Sequence, residues 1–338
     1  MIDYLIVGQG VAGSFLAWHL LKQNKRVVII DNNHEQSSSI ICIGMINPIT
    51  GKRFVLTPQF DEFYTYAQNI YQELEQIFDT QFFIKKPVLR IVKNEFEHSE
   101  LNKKYQSQEL HKYFQTLNAP DTYKPVLDDS LGSTLITPGG LCHTELLLNT
   151  LKNYFQNKNI LINEKLSYDD IKIKNESVQY RDEHFRKVIF CEGYQSQFNP
   201  WFSKLPFNHA KGEIMRIKID DDTSLPDAII NKGKWCAPFG NNEWAVGSNY
   251  IWDNLDCEPT KEGRQEILEG LNQYMTKNYT VIKHQAAVRP IMKDQNPILR
   301  MHSKYPNLGI FNGLGSKGFL MAPYYAKLFS NILLKKEK

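Results

Sequence analysis

The segment IDYLIVGQGVAG, residues 2–13, decides the fold of this chain. An apolar strand from Tyr4 to Val7 runs into three closely spaced glycines, an apolar helix follows, and Asp31 closes a second apolar strand. Such glycines allow a tight turn, a close approach of backbone to pyrophosphate and close helix–strand contact, while the carboxylate can bind ribose hydroxyls. The pattern predicts a dinucleotide site rather than the alternative, a glycine turn in an ordinary βαβ unit. Its predicted cofactor residues are Gly8, Gly10, Val11, Ala12, Gly13 and Asp31.

The bulk properties limit the class of protein more than its function. A length of 338 residues favours two domains, and 42% hydrophobic with 23% charged residues is ordinary for a globular chain. The net charge of +3 neither requires nor excludes a nucleic-acid partner. Five scattered cysteines and nine histidines lack ligand spacing, so we expect no disulfide framework and no metal site. Because a strand begins at Ile2 and leaves no room for a signal peptide, we expect a cytoplasmic protein. No apolar run approaches the roughly 18 residues that span a bilayer, so we expect no membrane insertion.

The segments after the first unit carry weaker patterns. Residues 37–48 are too irregular for a helix or a strand, and we expect a loop whose amides face a ring or phosphate, or a plain surface loop. Apolar residues at helical spacing from Phe60 to Phe78 predict a long amphipathic helix. The charge-rich segment from Lys85 to Asp129 is predicted to be an insert with a strand at Val88 to Val92 and a polar helix near Glu97 to Tyr113.

Two kinds of strand follow in the second half of the chain. The strand from Lys187 to Gly193 is of the continuous apolar type found in parallel sheets, as is the unit formed by a helix from His143 to Phe155 and a strand at Ile160 to Ile162. By contrast, Gly212 to Ile219 alternates apolar and polar residues, as do the segments near Trp235 and Trp244. Alternation predicts a second, antiparallel sheet with one solvated face.

The strand–glycine–helix pattern returns near the C-terminus. Leu308 to Phe311 is followed by GLGSKG, residues 313–318, and by an apolar helix to Leu334. We therefore expect an α/β fold with a discontinuous Rossmann-like nucleotide-binding domain and a second α+β domain built on an antiparallel sheet. A nicotinamide cofactor needs one nucleotide-binding half, whereas a flavin nucleotide is long enough to use both glycine-rich turns.

Separated patches of the chain, taken together, resemble the D-amino-acid oxidase family of FAD-dependent oxidoreductases, which includes glycine and sarcosine oxidases. The patches are the N-terminal fingerprint, the Ser-rich segment to Gly44 and Met45, Val188 to Gly193, Lys211-Gly212-Glu213, Val288-Arg289-Pro290 with Asp294 and Pro297, and Gly313 to Pro323. We expect residues 1–80, 136–204 and 286–338 to form the FAD-binding domain, and residues 81–135 and 205–285 to form the substrate domain. The segment 81–130 matches the family poorly.

The resemblance implies where FAD lies along the chain. The pyrophosphate would lie near Ser38 and Ser39, and the isoalloxazine between Gly44-Met45 and the C-terminal turn. Leu166 occupies a position at which members of the family often contact the adenine end of FAD through the main chain; the alternative is an ordinary residue of the hydrophobic core. The residues implied at the cofactor beyond the fingerprint are Ser38, Ser39, Gly44, Met45, Leu166, Gly193, Gly313, Gly315, Ser316, Lys317, Gly318 and Phe319.

The resemblance also implies oxidation of a C–N bond, with hydride transfer from an amine or amino acid to flavin. Arg289 resembles the carboxylate-binding arginine of the family, and a planar guanidinium suits that task, although a surface ion pair is the alternative. Lys317 is expected to stabilise reduced flavin, or to be a solvated loop lysine. Trp235 is expected to bound the substrate pocket, or to be a core residue.

One departure from the small-amino-acid oxidases keeps other substrates open. Several of those enzymes carry an arginine in the C-terminal turn, whereas GLGSKG is similar to the turn in the oxidoreductase domain of the bifunctional protein that modifies the tRNA wobble uridine. That resemblance implies removal of a carboxymethyl group from an aminomethyl nitrogen, and no methyltransferase domain is present in this sequence. An NAD-dependent dehydrogenase and a flavoprotein subunit without catalysis are the remaining alternatives.

Overall fold

The first strand, helix and second strand form in the order that the glycine pattern predicts. This computed structural model describes residues 1–33 and 37–335. Its α-helices are α1 (Val11–Lys22), α2 (Ser38–Ile41), α3 (Phe60–Phe78), α4 (Glu95–Tyr105), α5 (Thr144–Asn157), α6 (Lys261–Asn272) and α7 (Gly318–Lys335). Its strands are β1 (Ile2–Val7), β2 (Val27–Asp31), β3 (Met45–Ile46), β4 (Ile49–Thr50), β5 (Val55–Leu56), β6 (Phe83–Lys85), β7 (Val88–Ile91), β8 (Phe114–Asn118), β9 (Ser133–Ile136), β10 (Gly140–Cys142), β11 (Leu161–Asn163), β12 (Ile171–Ile173), β13 (Val178–Tyr180), β14 (Glu183–Phe190), β15 (Ala210–Ile219), β16 (Ile229–Lys232), β17 (Lys234–Gly240), β18 (Glu243–Gly247), β19 (Tyr279–Arg289), β20 (Ile298–Met301) and β21 (Leu308–Asn312).

One sheet carries the nucleotide-type topology. Strands β11, β2, β1, β14 and β21 are parallel neighbours in that order, so strands from both ends of the chain meet at its centre. The antiparallel strands β12, β13 and β20 complete it. The predicted strands at Lys187–Gly193 and Leu308–Phe311 therefore both belong to this sheet, and the expectation of a discontinuous arrangement is confirmed.

Both faces of the central strands are buried. Tyr4 and Ile6 pack into a core with helices α1, α3, α5 and α7, whereas Leu5 and Val7 pack into a core on the opposite face. Alternate residues of a strand point to opposite faces, which explains the continuous apolar run in β1. The helix from Phe60 to Phe78 has the predicted bounds and buries its apolar stripe against α7.

The second sheet has the strand order β19-β15-β18-β17-β16-β7-β9-β8. Its apolar face packs on α6 through Ile267 and Leu271. The prediction of an antiparallel sheet is wrong at one point, because β16 and β7 pair in parallel. These two strands lie about 140 residues apart in sequence and meet edge to edge with the same direction. Local alternation carries no information on such a long-range pairing.

Two local predictions need correction. Residues 37–48 are not an irregular loop throughout, because they contain α2 and β3. The Ser37 hydroxyl caps α2 by accepting the N–H of Ile40, and β3 pairs with β10. The polar helix ends at Tyr105 rather than Tyr113. It begins where the Asn94 side chain accepts the N–H of Glu97, and residues 111–113 form a separate short turn of 3-10 helix.

The described residues contain no helix long and apolar enough to cross a membrane. In the same part of the chain, no three His, Cys, Asp or Glu side chains cluster closely enough to hold a metal ion.

Candidate active site

A cavity of about 970 Å³ lies between the two large sheets. The cavity begins at the carboxyl ends of the central parallel strands, which is where open α/β sheets bind ligands. It extends to the first residues of β15 and β17 and the last residues of β19. The predicted site residues that line it are Gly8, Gly10, Val11, Ala12, Asp31, Ser38, Ser39, Gly44, Met45, Leu166, Gly193, Trp235, Arg289, Gly315, Ser316, Lys317, Gly318 and Phe319. Gly13 and Gly313 do not line it.

The turn between β1 and α1 forms one end of the cavity. Gly8 has a φ of +101°, and a Cβ on Gly13 would lie 1.9 Å from the Gly8 carbonyl oxygen. Gly13 therefore permits the close contact of helix and strand. The N-cap residue Gly10 supplies no side-chain cap and the first turn of α1 holds no acidic residue, so no negative charge of the helix itself competes with an anion at its positive end. The Val11 N–H donates to Ser39 Oγ at 3.2 Å, which brings the Ser-rich segment to that helix end.

Asp31 is held firmly at the same end. Its Oδ2 accepts the Gln9 N–H at 2.7 Å, and its Oδ1 accepts the Asn33 N–H at 2.8 Å. Each carboxylate oxygen can accept a further hydrogen bond, so ribose hydroxyls remain suitable partners. Leu166 lines the cavity and also packs in the core with Leu5 and Ile30.

Gly44, Met45 and the C-terminal turn form another part of the cavity wall, and Gly318 of this turn lies next to the start of α1, since a Cβ there would lie 3.2 Å from Val11 Cγ1. A Cβ on Gly44 would lie 2.6 Å from the Cys142 carbonyl oxygen, so this position requires glycine. The Lys317 Nζ donates to Thr57 Oγ1 at 2.9 Å. Burial lowers the pKa of Lys317, and no carboxylate of the described residues forms an ion pair with it. Lys317 is therefore a partly buried cation rather than a solvated loop lysine.

Arg289 lies at the end of β19 with its guanidinium held by neutral oxygens. Nη1 donates to the Lys211 and Asn249 carbonyl oxygens at 3.4 and 3.2 Å, and Nη2 donates to Ser248 Oγ at 2.8 Å. Burial lowers the pKa of Arg289. Within residues 1–33 and 37–335, no carboxylate pairs with this guanidinium. A guanidinium has five N–H donors, so Nε–H and one N–H of Nη2 remain without an acceptor in that part of the chain.

The sequence did not single out several residues around Arg289. A Cβ on Gly212 would lie 2.0–2.2 Å from the guanidinium atoms, and the Tyr250 ring lies 4.3 Å from Cζ. Gly212 belongs to a quoted patch, but nothing in the sequence pairs it with Arg289. Ser248 and Tyr250 follow the alternating strand β18 without a pattern of their own. Trp235 lines the cavity beside them, and its ring packs against Gly247.

Glu192 is a second residue that sequence analysis missed. It follows β14, lines the cavity, and accepts hydrogen bonds from Tyr168 Oη at 2.6 Å and Asn199 Nδ2 at 2.8 Å. Burial raises the pKa of this carboxyl group to about 7. Its position at the carboxyl end of a parallel strand was a signal that could have identified it.

The topology and the cavity define a dinucleotide-binding α/β oxidoreductase fold. The chain belongs to the DAO family of FAD-dependent oxidoreductases, whose model matches residues 3–332. Its fold is that of glycine oxidase from Geobacillus kaustophilus, which superposes with a TM-score of 0.82 at 17% identity and covers 100% of this chain and 95% of that one.

The similar curated proteins include tRNA 5-methylaminomethyl-2-thiouridine biosynthesis bifunctional proteins MnmC. The protein from Marinobacter nauticus is 26% identical over an alignment of 161 positions that covers 43% of this chain and 25% of that protein. The protein from Vibrio vulnificus is 21% identical over an alignment of 376 positions, gaps included, that covers 96% of this chain and 55% of that protein. The chain thus spans about half or less of these relatives.

Proposed function

We propose that this FAD-dependent oxidoreductase oxidises the C–N bond of an amino acid or a related amine whose carboxylate binds Arg289. One observation carries the proposal: a largely buried guanidinium lines the cavity with two N–H groups unpaired and no carboxylate partner among the described residues. A buried charge without a counter-ion is costly, and a carboxylate supplies two oxygens for two parallel N–H donors.

The residues of the cavity fit the cofactor of the family. The positive end of α1 suits a pyrophosphate, and Asp31 retains acceptor capacity for ribose hydroxyls. We assign the ring system to the space between Gly44-Met45 and residues 315–319. FAD supplies the two-electron acceptor for this chemistry.

The chain's own task is to orient the substrate. An acid anchored at Arg289 has its position fixed at one end, so its α-carbon is presented to the cofactor in one orientation. Trp235 bounds the space beside the anchor. The Cys42 thiol also lines the cavity, but burial raises its pKa to about 11, so it is protonated at neutral pH and does not act as a base there. We expect the amine to react in its neutral form, because hydride transfer to the flavin requires no dedicated protein base.

The partly buried Lys317 places a second positive charge in the wall of the cavity. A fixed cation stabilises negative charge that develops on a nearby group, and it does so more strongly where water is excluded. We propose that Lys317 favours the reduced, anionic state of the ring system. The bond to Thr57 fixes the position of the ammonium group.

The proposal is tested with matched pairs of compounds. FAD-loaded protein is assayed with glycine, sarcosine, proline and D-alanine, and with the corresponding carboxamides, using oxygen and an artificial electron acceptor in parallel. We expect turnover of at least one acid and a kcat/KM at least about 100-fold lower for its amide, because the amide lacks the charge that Arg289 recognises. Equal activity towards acid and amide contradicts the anchor.

A second candidate substrate is a carboxymethylaminomethyl uridine in tRNA. The relatives named above and the GLGSKG turn favour it, and the group to be removed also carries a carboxylate beside a C–N bond. Only a small part of such a substrate would enter the cavity. The same assay with tRNA that contains this nucleoside separates the two candidate substrates. Reduction of the flavin by this tRNA, but by none of the free amino acids, would select the tRNA substrate.

A further inference from the structure

We infer that Tyr250 is a positioning residue, whose ring holds the plane of the Arg289 guanidinium so that its two unpaired N–H groups face the substrate carboxylate. The inference rests on the proposed function, since it concerns how the same anchor is kept in place. It extends that function to a segment, residues 248–258, that the sequence did not single out.

The guanidinium of Arg289 is enclosed on both faces. A Cβ on Gly212 would lie 2.0 Å from Nη2 and 2.2 Å from both Cζ and Nη1, which places Gly212 over one face of the group rather than at its edge. The Tyr250 ring centroid lies 4.3 Å from Cζ. We place the ring over the other face, because the Gly212 backbone occupies the first one. A substrate can then reach the guanidinium only along its edge, in the plane that suits two parallel hydrogen bonds.

The ring itself is fixed by its own segment. Trp252 stacks on Tyr250 with centroids 5.5 Å apart and ring planes 22° apart. Between them, Ile251 exchanges two backbone hydrogen bonds with Lys211, at 2.8 and 3.0 Å. Lys211 also donates from Nζ to Asp256 Oδ1 at 2.6 Å. The backbone carbonyl of this same lysine accepts from Arg289, so one residue joins the anchor to the segment that covers it.

The exposure of the aromatic pair distinguishes positioning from core packing. Tyr250 is 44% exposed and Trp252 is 56% exposed, and neither belongs to a hydrophobic core of the described residues. No hydrogen bond involves the Tyr250 hydroxyl in that part of the chain, so the ring rather than the hydroxyl makes the contact. Removing the ring should leave the fold intact, and the plane of the guanidinium would then be held by its three hydrogen bonds alone.

The matched variants are Tyr250→Phe, which keeps the ring, and Tyr250→Leu, which removes its aromatic face. Full-length FAD-loaded proteins are titrated with acetate, glycolate and benzoate, and with the matching amides, while the absorbance of the bound flavin is followed. We expect Tyr250→Phe to bind within threefold of the parent protein, and Tyr250→Leu to bind carboxylates about tenfold more weakly with unchanged FAD content and melting temperature. The flavin reduction rate at saturating substrate should change less than the dissociation constant.

The outcomes separate this inference from the proposed function. If the parent protein prefers no carboxylate over its amide, the anchor itself is wrong and the inference falls with it. If the parent prefers carboxylates and Tyr250→Leu binds them as well as Tyr250→Phe does, the positioning role is refuted while the anchor stands. Should Tyr250→Leu fail to retain FAD, Trp252→Leu is used instead, because it removes the ring that stacks on Tyr250. An affinity of Trp252→Leu for carboxylates within 1.5-fold of the parent's would refute the positioning role of Tyr250.

Discussion

Replacing Arg289 by alanine is expected to weaken the binding of carboxylate ligands far more than it weakens FAD binding. The guanidinium offers Nε–H and one N–H of Nη2 to the cavity. Hydrogen bonds to charged groups contribute about 1.5–3 kcal/mol each. Two such bonds give about 3 kcal/mol at the lower end, which corresponds to a loss of roughly 100-fold in affinity.

Arg289→Lys is the matched control because it keeps the charge and removes the planar pair of donors. We expect its affinity to lie between those of the parent and Arg289→Ala, since an ammonium group binds a carboxylate as a point charge. The assay is anaerobic rapid mixing with a confirmed acid substrate, which yields both the dissociation constant and the rate of flavin reduction. Carboxylate affinity within threefold of the parent in Arg289→Ala, with FAD bound, would refute the assignment.

Three further predictions concern residues that line the cavity. Gly10→Val should yield protein with little FAD, because a Cβ added there would lie 3.2 Å from Ser39 Oγ and the larger side chain would fill the phosphate end of the cavity. The ratio of flavin to protein absorbance measures the FAD content. Full retention of FAD would contradict the assignment of residues 8–13 as the dinucleotide site. Lys317→Met should lower the reduction potential of the bound flavin, and an unchanged potential would show that the ammonium does not act on the ring. Burial raises the pKa of the Glu192 carboxyl from 4.5 to about 7, so the folded state binds the proton more tightly and the parent protein loses stability as the pH rises between these values. In the Glu192→Gln variant, the melting temperature of the FAD-free protein should therefore change less between pH 5 and pH 7.5. An equal change in melting temperature for parent and variant would contradict this prediction.

The segments that the sequence predicted well have strong local signals. The turn at Gly8 to Gly13 follows from steric requirements, and the helix from Phe60 to Phe78 follows from a long apolar stripe. The discontinuous central sheet followed from the repeat of strand, glycine and helix near Leu308. In each case the signal lies within one short segment of sequence, although the pairing of β14 with β21 itself joins residues about 120 positions apart.

The features that the sequence did not predict depend on distant contacts. The parallel pairing of β7 with β16 joins residues about 140 positions apart. The environment of Arg289 joins Gly212 with Ser248 and Tyr250, which come from two segments distant in sequence from Arg289. The capping of α2 by Ser37 is a local signal that was available and was overlooked, because the helix has only four residues.

The most direct test of the central claim is the visible spectrum of the purified protein during anaerobic titration with amino acids. We predict a flavin spectrum that is bleached by at least one amine carrying a carboxylate. In the Arg289→Ala variant, bleaching should require much higher concentrations of the same compound. Flavin that no carboxylate-bearing amine reduces, free or within tRNA, would contradict the proposed reaction.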